Sequence, residues 1–291
     1  MDTIEAKGPN ADQIEFWNSA GGQNFVQHQQ GLDIMLHDFG IRAMEKGGLK
    51  AGDVVLDIGC GCGDTSIDMA RRVGATGEVV GVDISEIMLR RAEDLAAHAD
   101  LTNVFFELAD VETDPMHRDS FDLAFSRFGI MFFNNPVTAL RNVHKVLHEE
   151  GRLAFACWQT LDKSPWIALQ LQAVMPLVPE DRRPPPADPE APGPFSFGDP
   201  DRLLPILKDA GFVNVDMESF TSRAPMFGLK DMEDILDFAM AVGPARTFFE
   251  DMPQDDIAAA REAIRGAYAP YLTDDGVIMD SEAWIVSADK G

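Results

Sequence analysis

Three glycines, Gly59, Gly61 and Gly63, alternate with Cys60 and Cys62 directly after the aliphatic run Val54-Val55-Leu56-Asp57-Ile58. Glycine lacks a Cβ and tolerates positive φ, so such a loop lets backbone approach a ligand closely. Thr65 to Val73 reads as a helix, and its free N-terminal N–H groups add to the ligand-binding character of the loop. About 20 residues on, Glu78 to Asp83 is a second apolar run ending in an acid. In doubly wound nucleotide-binding sheets an acid at that strand tip holds ribose hydroxyls. The dinucleotide fingerprint G-x-G-x-x-G/A does not fit. Its sixth position is Asp64 counted from Gly59 and Ser66 counted from Gly61. A nicotinamide-dependent oxidoreductase is thereby the poorer alternative.

Other chemistry-bearing side chains are sparse. His28 is a candidate general base for a phenol or hydroxyl, and His37 lies nearby. Neither an H-E-x-x-H nor a C-x-x-C spacing occurs, and no carboxylate cluster has metal spacing, so no metal is expected. Cys60 and Cys62 are too close in sequence for an ordinary disulfide. With Cys157 they form no disulfide framework and suggest a reducing, cytoplasmic setting. The 291 residues carry 24 basic and 49 acidic side chains, a formal charge of −25. That excess argues against nucleic acid or an anionic membrane as partner. The 45% hydrophobic content supports a full core. No leader and no apolar run long enough for a membrane span are evident.

The glycine loop needs elements to hold it. Ile14 to Met44 reads mainly as helix, with breaks expected near Gly21-Gly22 and Gly31; residues 1 to about 10 read as frayed. A helix capped by Ser85 should run to about Ala99. Strands are expected at 104–107, 120–126, 150–158, 212–220 and 284–288. Helices are expected at 136–147, with His144 and His148 on its wet face, at 166–174 and at 199–210 before Gly211. Nine of the 18 prolines fall between Pro176 and Pro200, so that stretch is a surface insertion and not sheet interior. Residues 228–271 read as helical.

Leu56-Asp57-Ile58-Gly59-Cys60-Gly61-Cys62-Gly63 resembles the first motif of class I S-adenosylmethionine-dependent methyltransferases, (V/L)LD(I/V)GCGxG. Asp83-Ile84-Ser85-Glu86-Ile87-Met88-Leu89 is similar to that family's D-x-S-x-x-M-L. Phe121-Asp122 to Ser126 and the Gly151-Arg152-Leu153 turn resemble its later segments, with Glu149-Glu150 standing where the family has Pro-Gly. The match is specific over about residues 50–160 and points toward the small-molecule, ubiquinone- and menaquinone-type methyltransferases. It implies an α/β fold: a Rossmann-like, seven-stranded, mostly parallel sheet with helices on both faces and an antiparallel last strand. The expected layout is a helical flap (1–45), a cofactor-binding core (46–160), a proline-rich lid insertion (161–200) and completion of the sheet with a helical lid (201–291).

For the cofactor S-adenosylmethionine, the resemblance has Asp57 order the glycine loop and help hold the amino-acid end, has Gly59, Gly61 and Gly63 allow close approach, and counts Cys60 among the cofactor-binding residues. It gives Asp83 the ribose, Ile84 and Met88 the adenine faces, and Asp110 and Val111 the adenine edge. Ser126 and Arg127 fall beside the methionine moiety or the acceptor. Arg127 and His28 are the candidate catalytic residues. Trp17, Phe25, Phe128, Met131 and Trp166, with Phe195 and Phe197, are candidates for enclosing a small apolar or aromatic acceptor. Two alternatives stay open: a nucleotide-binding oxidoreductase and a non-catalytic interaction protein on the same fold. Oligomeric state is not legible.

Overall fold

The computed structural model describes residues 4–116, 121–183, 188, 190–242, 246–250 and 252–291. Seven strands form one sheet: β1 (Val54–Ile58), β2 (Glu78–Asp83), β3 (Val104–Leu108), β4 (Phe121–Arg127), β5 (Leu147–Trp158), β6 (Val213–Ser222) and, after a short β7–β8 hairpin (Leu272–Thr273, Gly276–Val277), β9 (Ser281–Asp289). The order across the sheet is β3-β2-β1-β4-β5-β9-β6. β3 through β5 pair in parallel, and β9 runs antiparallel to both its neighbours. The expected fold class is therefore what is observed.

β1 is the pivot. It pairs with β2 on one side and β4 on the other. Chain direction across the sheet reverses there, which opens a crevice outside the carboxyl ends of the strands. The core strands are buried on both faces, as their near-continuous apolar sequences require. The hydrogen-bonded ladder and the glycine loop continue each other, because Gly59 and Cys60 both donate N–H to the Val82 carbonyl.

Helices flank the sheet: α3 (Asp64–Val73), α4 (Glu86–His98), α5 (Pro136–Val146), α6 (Pro165–Val174) and α7 (Pro200–Ala210). Their caps follow the sequence. Ser85 Oγ accepts the Met88 N–H, Asn135 accepts the Thr138 N–H and Asp199 accepts the Asp201 N–H. Gly211 ends α7 in the left-handed conformation at φ 109°.

Several expectations need correction. The N-terminal region is two helices, α1 (Ala11–Trp17) and α2 (Ala20–Lys46), and the break falls at Asn18-Ser19. Gly31 lies inside the continuous α2. A Cβ there would sit 2.8 Å from the Phe238 ring and 2.9 Å from the Phe227 carbonyl, so this glycine serves close packing rather than a break. Asn10 is buried, not frayed. The stretch 228–271 is helical as expected, but divided. It holds α8 (Met232–Ala241), α9 (Arg246–Glu250) and α10 (Gln254–Tyr268); residues 243–245 and 251 lie outside the described residues, as do Ser120 and 184–187 and 189. His144 is not on a wet face. Its Nε2 lies 2.9 Å from the Lys290 carbonyl and its ring packs edge-on against Phe212. β5 begins at Leu147, so exposed His148 sits on a strand and not on α5.

Candidate functional site

The carboxyl ends of β1, β2 and β4 converge below α2. Asp57, in β1, is buried. Its Oδ2 accepts hydroxyl hydrogens from Thr65 at 2.8 Å and Ser66 at 2.6 Å, which ties the strand to the first turn of α3. Its Oδ1 is buried with no hydrogen-bond partner. Burial outweighs the two hydroxyls and raises this carboxyl to about 6.

Asp83, at the tip of β2, braces the glycine loop. Its Oδ2 accepts the Gly61 N–H and its Oδ1 the Ser85 N–H, both at 2.8 Å. It too is raised to about 6 by burial, against those backbone bonds. All three loop glycines have positive φ, but they serve different ends. A Cβ on Gly59 would lie 2.9 Å from Gly129 Cα, and one on Gly63 would lie 2.8 Å from Ala92 Cβ. Those two are packing glycines. A Cβ on Gly61 would meet nothing closer than Phe25 at 3.8 Å, so its space opens toward the cavity described below.

Asp110 turns out to cap a turn. Its oxygens accept from the Glu112 N–H, Thr113 Oγ1 and the Asn10 amide. The Asn10 contact pins the start of the chain beside it. Glu112, which drew no attention in the sequence, is buried and accepts the Asn135 N–H at 2.9 Å; burial raises its carboxyl. Ser126 uses its side chain to donate to the Ile58 carbonyl at 2.7 Å, clamping β4 to β1.

Arg127 is buried and bidentate across two elements. Nη1 donates to Asp64 of α3 and Nη2 to Asp33 of α2, each at 2.8 Å. A guanidinium so paired holds its proton, so it positions and does not shuttle protons. Phe128 follows at φ 61°, a strained conformation for a bulky residue. It directs the ring onto Trp158, stacked at 4.2 Å.

These groups surround a cavity of about 410 Å³, within the range of small-molecule sites. It is lined by Gly59, Cys60, Gly61, Asp83, Ile84 and Met88, and Asp110 and Val111 also line it. Trp17, Phe25, Phe128, Met131 and Trp166 line it too; Phe25 and Trp17 lie beside the glycine loop, since Phe25 is 3.8 Å from where a Gly61 Cβ would be and the Trp17 carbonyl accepts from Ser85 Oγ. The five residues expected to enclose an acceptor thus line one cavity. Asp57, Gly63 and Ser126 lie behind the lining. His28 does not line it; its ring packs on Phe238 at 4.5 Å and burial lowers its basicity. Phe197 belongs to the core, and Phe195 packs against that core outside the lining. Asn10, Asp33, Trp158, Ile167 and Pro194 line the cavity unforeseen, as does Arg246. The sequence holds no local signal for them, since their neighbours are distant in the chain.

The three cysteines are buried and free. Burial pushes the Cys62 thiol up to about 12, so it is no nucleophile near neutrality. Among the described residues no group of three or more His, Cys, Asp or Glu could hold a metal, and no helix is long and apolar enough to cross a membrane. A second groove, lined by Arg71, Thr76, Asn103 and Phe121, flanks the amino ends of the strands, the wrong edge for ligand binding in such sheets.

Comparison with known proteins places this geometry. The family described as Methyltransferase domain matches residues 49–211. Demethylmenaquinone methyltransferase of Staphylococcus aureus is 30% identical over 202 residues, covering 66% of this chain and 82% of that protein. Phosphoethanolamine N-methyltransferase 2 of Haemonchus contortus, solved with S-adenosylhomocysteine and phosphomonomethylethanolamine, superposes with a TM-score of 0.54 at 18% identity, over 97% of this chain and 60% of that one. The [4+2]-cyclase SpnF superposes at 0.52 with 21% identity, over 86% and 79%. The two structures show the fold alone. The family match sets aside the oxidoreductase and the non-catalytic alternatives, and the chain belongs to the methyltransferase-domain family as a class I S-adenosylmethionine-dependent methyltransferase.

Proposed function

We propose that this methyltransferase acts on a small, largely apolar or aromatic acceptor, held between α2, α6 with Pro194, and the end of α8 with Arg246. One observation carries this: a contiguous apolar cluster lines the cavity, with Phe128 stacked on Trp158 at 4.2 Å, Trp166 edge-on to Trp158 at 6.4 Å, and Met131 and Ile167 beside them. The insertion is fastened to that cluster, since Ser196 Oγ and the Gly193 N–H both donate to the Met131 carbonyl. The Staphylococcus aureus relative is named for demethylmenaquinone; we extend to this chain only the class of acceptor.

The site fits the cofactor on its own terms. Gly61 leaves open space, Asp57 Oδ1 lacks a donor, and the lining is rich in carboxylates. When bound, S-adenosylmethionine supplies a methyl group on a positively charged sulfur. Holding and orienting are then the protein's tasks. Asp83 would accept from the ribose hydroxyls, for a carboxylate with two accepted N–H bonds retains lone-pair capacity. Ile84 and Met88 would cover the adenine, with Asp110 and Val111 at its edge. Gly59, Cys60 and Arg127 would border the amino-acid end, with Asp57 acting from behind the loop. The aromatic wall excludes water and aligns the acceptor. No side-chain base is assigned, because His28 faces Phe238.

The test is transfer of labelled methyl from S-adenosylmethionine to a panel of phenols, quinols, fatty acids and terpenoids, beside RNA, DNA and protein. Labelling within the small-molecule panel is expected. Labelling of a macromolecule alone would overturn the acceptor class and leave the cofactor assignment standing.

A further inference from the structure

We propose that Asp33, on helix α2, is a specificity-determining residue that makes the cavity favour the positively charged cofactor over its neutral demethylated product. Asp33, Arg127 and Asp64 line the same cavity and form one ion-paired unit from three elements. Two carboxylates share one guanidinium, so the unit keeps one negative charge in excess. Asp33 and Arg127 are both largely withdrawn from water, with side chains 12% and 10% exposed. Charges in such a place are weakly screened and act strongly on a ligand. Asp83 and Asp110 add negative charge to the lining, and Arg246 at the lid adds positive charge.

Asp33 is short of positive partners. Its Oδ1 accepts from Arg127 and its Oδ2 from the Gln29 amide at 2.5 Å. Burial still prevails over these and, with Asp64 adding to it, lifts the carboxyl above its ordinary value. A further cation in the cavity would relieve that deficit. S-adenosylmethionine carries a sulfonium, whereas S-adenosylhomocysteine carries a thioether; their remaining groups are the same. The excess charge therefore distinguishes the two and helps the spent cofactor leave. Gly40 lets α2 lie close enough to serve, since a Cβ there would sit 3.1 Å from Arg127 Cδ.

The experiment is titration calorimetry of the full chain with S-adenosylmethionine, with S-adenosylhomocysteine, and with an analogue bearing an amine in place of the methylsulfonium. Asp33→Asn should weaken the first and third about tenfold and the second less than about twofold. Asp33→Glu, which keeps the charge, should retain the wild-type preference, and thermal melts establish that each variant is folded. Equal losses for all three ligands would assign Asp33 a purely structural role and overturn the proposal. So would an Asp33→Glu variant that loses the preference, or an Asp33→Asn variant that keeps it.

Discussion

Asp57 holds a buried carboxylate with one oxygen bonded twice and the other not at all. Leaving that oxygen ionised and unpaired is costly in the cofactor-free chain. Asp57→Asn keeps an oxygen for the Thr65 and Ser66 hydroxyls and replaces the unpaired ionised oxygen by a neutral amide NH2, whose burial costs less than that of a charge. At pH 7.5 we expect the free protein to gain about 1 kcal/mol, or roughly 2–4 °C in melting temperature. Affinity for S-adenosylmethionine should fall about tenfold, a loss of roughly 1.4 kcal/mol. Melting curves and calorimetry on one preparation check both; a variant that loses stability as well as affinity would show Asp57 to be a scaffold residue first. Asp57, Asp83 and the glycines were legible because each follows directly on an apolar run. Arg127 was legible as a site residue but not in its task. Its partners Asp33 and Asp64 lie 94 and 63 positions away, and no spacing rule connects them.

Helix α2 carries its apolar stripe, Leu32, Met35, Leu36, Phe39, Ala43 and Met44, at the spacing expected of a helix packed on a sheet. Its glycines mislead a reader of sequence. Gly31 counts as a breaker by propensity, yet the helix passes through it because Phe238 and the Phe227 carbonyl come so near. Tertiary contact overrides the weak local preference. Gly31→Ala should gain the usual helix increment of about 0.5–1 kcal/mol but lose about 1–3 kcal/mol to overpacking. We expect net destabilisation in urea unfolding and a raised acceptor KM, with S-adenosylmethionine affinity unchanged. A stabilised variant would mean that α2, Phe227 and α8 yield freely at this contact. The division of 228–271 into three helices was equally hard to foresee, because a continuous supply of helix formers hides where packing bends the chain.

For the molecule as a whole, buried acids set the pH response. Asp57 and Asp83 both sit at about 6 when folded, above the ordinary 3.8. The folded state therefore binds their protons more tightly than the unfolded chain does. The stability so contributed is complete below about pH 3.8 and is lost as pH rises through about 6. Between pH 5 and 7.5 each carboxyl should remove about 1 kcal/mol from the cofactor-free protein, and relief of the −25 charge at lower pH acts in the same direction. S-adenosylmethionine at about 100 times its dissociation constant should add about 2.7 kcal/mol and flatten that decline. Calorimetric melts across the range test it; a melting temperature that climbs with pH in the free protein would contradict the buried, ionised carboxylates.

Strand, glycine loop, helix and second acidic strand tip are local patterns, and local patterns follow from backbone geometry and periodicity within a few residues. From Val54-Val55-Leu56, Gly59 to Gly63 and Asp83 alone, a nucleotide-binding class of sheet could be inferred; the cofactor was implied by the resemblance of Leu56 to Gly63 and Asp83 to Leu89 to the methyltransferase motifs. The aromatic wall, the Asp33–Arg127–Asp64 unit and the cap that Asp110 makes with Asn10 each join residues from separate elements. They depend on how α1, α2, α6 and α8 come to rest on the sheet. That arrangement is set by burial and by steric limits such as those at Gly31 and Gly40, which act between chain segments and leave no mark on the order of residues within either one.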